Sequence, residues 1–159
     1  MLEREEVIVK KLTERFGDLT PVIQRERRIW AETPREKFIK VLGFLRDELK
    51  FTSLCTVTGL DLGDRFQLIY YVAENGSKDG GIVLCLKESA PKSDPVFDTA
   101  TDLYKGGTLY ELEARNLFGL TIRGIPDDIR YPLPDHWPEG QYPLRKDWSQ
   151  NANKEEEKK

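Results

Sequence analysis

Residues 51–88 read FTSLCTVTGLDLGDRFQLIYYVAENGSKDGGIVLCLKE. The stretch is dense in Thr, Val, Ile, Tyr and Phe, the residues that suit a pleated, half-buried surface. Two turn signals interrupt it: Asp64, and the run Asn75-Gly76-Ser77-Lys78-Asp79-Gly80. Polar and glycine-rich breaks between short apolar runs predict hairpins. Three consecutive strands are therefore expected over 51–62, 66–74 and 81–88. They make a sheet the organising element of the fold.

Upstream, Val7, Ile8, Leu12 and Phe16 recur at helical spacing before Gly17, which predicts a helix over 5–16. Residues 21–31 place Val22, Ile23, Ile29 and Trp30 among charges, as in one half-exposed strand. Thr33-Pro34-Arg35-Glu36 reads as a capping box, with Pro34 at the first helical position and Glu36 reaching back to the Thr33 amide. The helix it opens runs to about Lys50, with Phe38, Val41, Leu42, Leu45 and Leu49 as its buried stripe. Helices interspersed with hairpins predict an α+β fold: two layers, a mixed or antiparallel sheet, and helices on one face.

At 159 residues the chain is expected to be one domain over 1–148, comprising 1–95 (helices and strand hairpins) and 96–148 (a further helix and a strap). The end, 149–159, is a charged segment expected to be disordered. Net charge is −3 with both signs interspersed, which gives no case for nucleic acid or an anionic membrane surface. The opening residues are charged rather than signal-like, and the apolar runs 66–73 and 81–86 fall far short of the ~20 residues that span a bilayer. Cys55 and Cys85 lack the close spacing of a metal or redox pair, and are expected to be buried thiols in a reducing compartment.

Catalytic equipment is hard to find. His136 is the only histidine, and one histidine with two distant cysteines cannot furnish a zinc site. Gly106-Gly107 is a break, not a phosphate cradle, and no Cys-x-x-Cys is present for an iron–sulfur cluster. Asp127 and Asp128, with His136, would be the residues of a small metal-dependent hydrolase, but a Pro-Asp-Asp-Ile turn favours capping and solvation. The expectation is a chain with no catalytic, cofactor or metal residues of its own.

The informative region is 97–148. Thr99-Ala100-Thr101-Asp102 and Thr108-Leu109-Tyr110-Glu111 both read as capping boxes, predicting two short helices parted at Gly106-Gly107, the second stopped by Gly119. On a helical wheel Leu109, Tyr110, Leu112, Ala114, Leu117 and Phe118 cover about 240°, too wide for an ordinary surface helix. Glu111 and Arg115 share the narrow polar side as an i,i+4 pair, while Glu113 falls inside the apolar arc. Such a carboxylate needs a partner. It pairs within the chain, with Arg130 or Arg145, or reaches across an interface, or is catalytic. Beyond Gly119 the chain is too proline-dense for ladders and too apolar for a linker. It is an interface segment, a strap over its own sheet, or both.

Residues 110–120, YELEARNLFGL, resemble the Trp-x-Glu-Arg-Glu-x-x-Asp-x-Phe-Gly-Ile signature of the C-subunit family of NADH–quinone oxidoreductase (complex I), which extends to membrane-bound energy-converting [NiFe] hydrogenases and ferredoxin-linked complexes. PDDIRYPL (126–133) is similar to the family's His-Pro-Asp-Leu-Arg-Arg-x-Leu, and YPLRKD (142–147) to its His-Pro-Leu-Arg-Lys-Asp. The signature tryptophan, arginine, aspartate and first histidine are here Leu109, Leu112, Asn116 and Ile125. These departures lean toward the hydrogenase-type or ferredoxin-linked branch. The resemblance implies a non-catalytic assembly subunit in the hydrophilic arm of a membrane-bound oxidoreductase, peripheral on the cytoplasmic side of the cell membrane. It would clamp a catalytic large subunit and an iron–sulfur small subunit during electron transfer coupled to ion translocation, with the iron–sulfur clusters, and in one branch a nickel–iron centre, held by those partners. It assigns partner binding to Glu111, Glu113, Arg115, Arg130, Tyr142, Pro143, Leu144, Arg145, Lys146, Asp147 and Trp148. A free-standing interaction adaptor is the alternative.

Overall fold

The computed structural model describes residues 2–75 and 80–149. Residues 76–79 of the expected 75–80 loop and all of the expected disordered tail except Ser149 lie outside these residues. Helix α1 (Glu3–Arg15) buries Ile8 and Leu12. Strands β1 (Val22–Arg25) and β2 (Arg28–Glu32) follow, then helix α2 (Phe38–Asp47). The expected strand triplet is present as β3 (Ser53–Asp61), β4 (Arg65–Ala73) and β5 (Val83–Pro91). Strand β6 (Val96–Asp98), helix α3 (Thr108–Phe118) and strand β7 (Thr121–Arg123) complete the order, and turns fill the rest to Ser149.

The main sheet runs β1-β2-β5-β4-β3, antiparallel except for the parallel β2–β5 pair. Alternation along β4 sends Phe66, Leu68, Tyr70 and Val72 into one core with Leu12, Phe38, Leu42, Leu45 and Phe118 from the three helices. Two layers, a mixed main sheet and helices on one face are thus as the sequence pattern predicts.

Several local expectations fail, each for a physical reason. The single strand over 21–31 is a hairpin: Arg27 takes a φ of 61°, and its amide donates to buried Glu5 of α1 at 2.7 Å. Thr33 does not cap a helix. Its amide extends the ladder to Lys87 O (3.0 Å), and α2 starts only after a 3₁₀ turn at Arg35–Lys37. No helix opens at Thr99, whose hydroxyl instead accepts from the Thr101 amide at 3.1 Å in a local turn. Thr108 is already helical and makes no cap. Cys85 is buried as expected, but Cys55 is exposed, because it sits at a bulge on the edge strand β3. Strands β6 and β7 form a short parallel pair that no sequence pattern announces.

Among the described residues a buried carboxylate stands unpaired. Glu88 of β5 is fully buried with both carboxylate oxygens unpartnered. Burial, and then the nearby charges of Glu111 and Asp98, push its carboxyl well above the usual range, with Arg35 opposing. A raised carboxyl stabilises the fold fully below the unfolded value of 4.5 and loses that contribution as pH rises. Glu88→Met is therefore expected to be more stable than the native chain at pH 8 by about 1–3 kcal/mol, the gain shrinking toward pH 4.5. Urea unfolding at both pH values checks this; a gain independent of pH contradicts it.

Candidate partner-binding site

The helical wheel puts Glu111 on the solvent side of α3, paired with Arg115. In the structure it is instead fully buried. Its Oε1 accepts from Tyr70 Oη of β4 (3.0 Å) and from the Ala100 amide (2.8 Å), and its Oε2 from the Thr99 hydroxyl. Burial raises its pKa, and the three hydrogen bonds counter that rise without cancelling it. Three donors gathered from two other elements fix the rotation of α3 about its axis. The helix turns about 100° per residue, so Leu109, Glu113 and Leu117 lie about 160–240° from Glu111 and face outward.

Leu109 is accordingly 56% exposed, and Glu113 is exposed. The two in-chain partners expected for Glu113 are engaged elsewhere. Arg130 donates to Trp137 O at 2.8 Å, and Arg145 to Phe118 O (2.6 Å) and Gly119 O (3.1 Å). Glu113 stands on an apolar helix face beside strand β3. A groove of about 260 Å³ separates them, lined by residues 56–59 of β3, by Glu113, Leu117 and Phe118 of α3, and by Leu144.

The remaining sequence-assigned residues build the strap. The Arg115 guanidinium donates to Pro126 O and Ile129 O, and Asn116 Nδ2 to Tyr131 O (2.7 Å). These bonds take up strap carbonyls, not a helix-surface acid. Arg145 lies over the rings of Tyr142 (4.5 Å) and Phe66 (5.2 Å) while its donors meet the last carbonyls of α3. A guanidinium at a helix C-terminus is favoured by the exposed carbonyl ends as well as by these contacts. Gly119 ends α3 with a φ of 67°, and a Cβ there would sit 2.5 Å from Tyr142, so a glycine is required twice over. The indoles of Trp137 and Trp148, 6.1 Å apart, both donate to Gln141. Leu144 is 51% exposed; Lys146 and Asp147 are also exposed, and Pro143 is half-buried.

Sequence reasoning missed Asp61 at the end of β3. Its side chain is 2% exposed, and it accepts from Lys92 Nζ (2.8 Å), the Lys146 amide (2.9 Å) and the Gly63 amide (2.8 Å). Burial raises its pKa, but these bonds outweigh burial and hold it at about 2. Its only sequence signal was an acid at a strand end before a glycine. The hydrolase residues Asp127, Asp128 and His136 are all exposed, and among the described residues no group of three or more His, Cys, Asp or Glu is placed to hold a metal ion.

Two substitutions test this geometry. Glu111→Ala strands the Tyr70 hydroxyl and Ala100 amide in the core, so a loss of about 3 kcal/mol or more is expected in urea unfolding. Asp61 has a lowered pKa, so its stabilisation is full above 3.8 and fades as pH falls toward about 2. Asp61→Asn should cost about 1–3 kcal/mol at pH 7, and the deficit should narrow on acidification. A deficit that is the same at pH 7 and pH 2.5 contradicts the assignment.

Residues 31–154 match the family described as respiratory-chain NADH dehydrogenase, 30 Kd subunit. The membrane-bound hydrogenase subunit beta of Pyrococcus furiosus is 28% identical over 92% of this chain and 87% of its own length. The C-subunit of the F(420)H(2) dehydrogenase of Methanosarcina mazei is 31% identical over 92% of this chain and 93% of its own. The C/D-subunit of an NADH-quinone oxidoreductase of Yersinia pestis is 29% identical over 93% of this chain but only 26% of its own length. Among solved structures, a chain of the membrane-bound sulfane sulfur reductase, an archaeal respiratory membrane complex, has the same fold, with a TM-score of 0.84 at 23% identity over 97% of this chain and 91% of that one. Among the described residues no helix is long and apolar enough to cross a membrane. The chain belongs to the 30 kDa subunit family of respiratory-chain NADH dehydrogenase, the C-subunit family of complex I-type oxidoreductases.

Proposed function

We propose that this chain is a structural subunit of a complex I-related membrane oxidoreductase and performs no turnover itself. It seats against a catalytic large subunit near an iron–sulfur small subunit, on the cytoplasmic side of the membrane, while electron transfer in those partners is coupled to ion translocation. One observation carries the reading: the outward face of α3 and the strap beside it leave Leu109, Ile129, Tyr131 and Leu144 between 40% and 56% exposed. Of these, Leu144 lines one groove with the outward-facing Glu113 and Leu117, and an exposed apolar surface bordered by charge marks a protein interface. The Yersinia relative supports it further, since in that protein a region like this chain is continuous with a much longer polypeptide.

The assigned residues divide by position. Glu113, Pro143, Leu144, Lys146, Asp147 and Trp148 present the surface to the neighbour. Glu111, Arg115, Arg130, Tyr142 and Arg145 act from inside by holding α3 and the strap in shape. A preformed strap loses little entropy on docking.

Isolation of the assembly from source cells through a tag on this chain, followed by mass spectrometry, tests the proposal. The expected result is stoichiometric recovery of a hydrogenase- or dehydrogenase-type large subunit together with an iron–sulfur protein. Leu144→Asp should lower that recovery about 10-fold or more without changing the melting temperature of the isolated chain. Recovery with unrelated partners alone points to a free-standing adaptor, and contradicts the proposal.

A further inference from the structure

The groove between β3 and α3 has one wall made of backbone. Strand β3 ends the sheet order and pairs only with β4 among the described residues. Across the β3–β4 turn the Leu62 amide donates to Arg65 O at 2.9 Å. In an antiparallel ladder, backbone groups alternate between the partner and the far side. Leu60, Thr58 and Thr56 therefore turn their N–H and C=O groups to β4, while Val57 and Gly59 turn theirs to the open edge. The edge is guarded at both ends, by the bulge at Cys55 and by the strap anchored on Asp61. Between these guards residues 56–59 remain a short open template.

We infer that this edge takes up an extended segment of a neighbouring subunit as an added strand, with an apolar side chain of that segment in the groove and a lysine or arginine two residues along it paired to Glu113. The inference rests on the assembly reading above, and adds to it the place, mode and chemistry of one contact. At about 260 Å³ the groove is smaller than the ~300–1,000 Å³ typical of ligand pockets, and fits side chains rather than a small molecule. Gly59 sits under Phe118, where a Cβ would approach the ring to 2.6 Å, so the strand lies tight against α3 and leaves the edge, not the face, as the place to bind. Glu113 is the one charged residue lining the groove, and among the described residues no cation is paired with it. A carboxylate on an apolar wall selects a cation. Strand addition supplies affinity through the backbone and specificity through alternate side chains.

A second copy of this chain fits poorly. Two β3 edges joined about a two-fold axis would bring two Glu113 carboxylates to the same groove. Neither copy would fill it, because Val57 already points into its own core and Thr56 and Thr58 point to the opposite face.

Residue-resolved hydrogen exchange on the isolated chain and on the intact assembly, recovered through a tag, tests the inference. Thr56 and Thr58 amides, bonded to β4, should be protected in both. Val57 and Gly59 amides should exchange freely in the isolated chain and about 10-fold or more slowly in the assembly. Glu113→Lys should weaken retention of the neighbour about 10-fold, with an unchanged melting temperature, and Glu113→Gln by less. Equal exchange of Val57 and Gly59 in an intact assembly overturns the strand-addition inference and leaves the assembly reading standing. Protection of that edge in a dimer of the isolated chain also overturns it, in favour of self-pairing. A chain recovered with no neighbour at all overturns both readings.

Discussion

The buried carboxylate of Glu111 is the constraint on which the functional surface depends. A carboxylate removed from water must be met by donors, and it finds them on two separate elements, strand β4 and the turn at Thr99–Ala100. That requirement sets how α3 is rotated. Once Glu111 points in, Leu112, Ala114 and Phe118 follow it into the core, and Leu109 and Glu113 have no choice but to face out. An apolar helix face in solvent is thus the geometrical consequence of a polar one in the core.

The strap is fastened by similar means. Its long irregular path cannot form a ladder, so side chains meet its backbone groups: Arg115, Asn116 and Arg130 take carbonyls of its first half, and Asp61 takes the Lys146 amide of its second, where the Leu144 amide and the Arg145 side chain donate to the last carbonyls of α3. The two roles expected of this segment are therefore compatible. The cations hold the strap to its own domain, and that leaves Leu144 and the residues near it in a fixed outward position. Such a segment can be both a strap and a docking surface because different side chains do the two jobs.

The strands over 51–88 were legible because strand-favouring residues and turn residues agree, and Gly119 because only a glycine suits that stop. The three family-like motifs likewise pointed to the family that the comparisons show. What stayed hidden depended on tertiary partners. Thr33, Thr99 and Thr108 carry the right residues for caps, but a ladder, a turn and a 3₁₀ step claim their polar groups first. The wheel of α3 shows two carboxylates, Glu111 and Glu113, without revealing that donors wait for only one of them. Strands β6 and β7 are three residues each with partners some 25 positions apart, too short for any periodicity to register. Asp61 looked like one more strand-end acid.

The most direct measurement is an electron cryomicroscopy map of the assembly containing this chain, read at α3 and residue 144. The account predicts Glu111 enclosed by Tyr70, Thr99 and Ala100, with Leu109, Glu113 and Leu144 covered by another polypeptide. A map in which those three outward side chains meet only solvent, with α3 rotated as it is here, would contradict it.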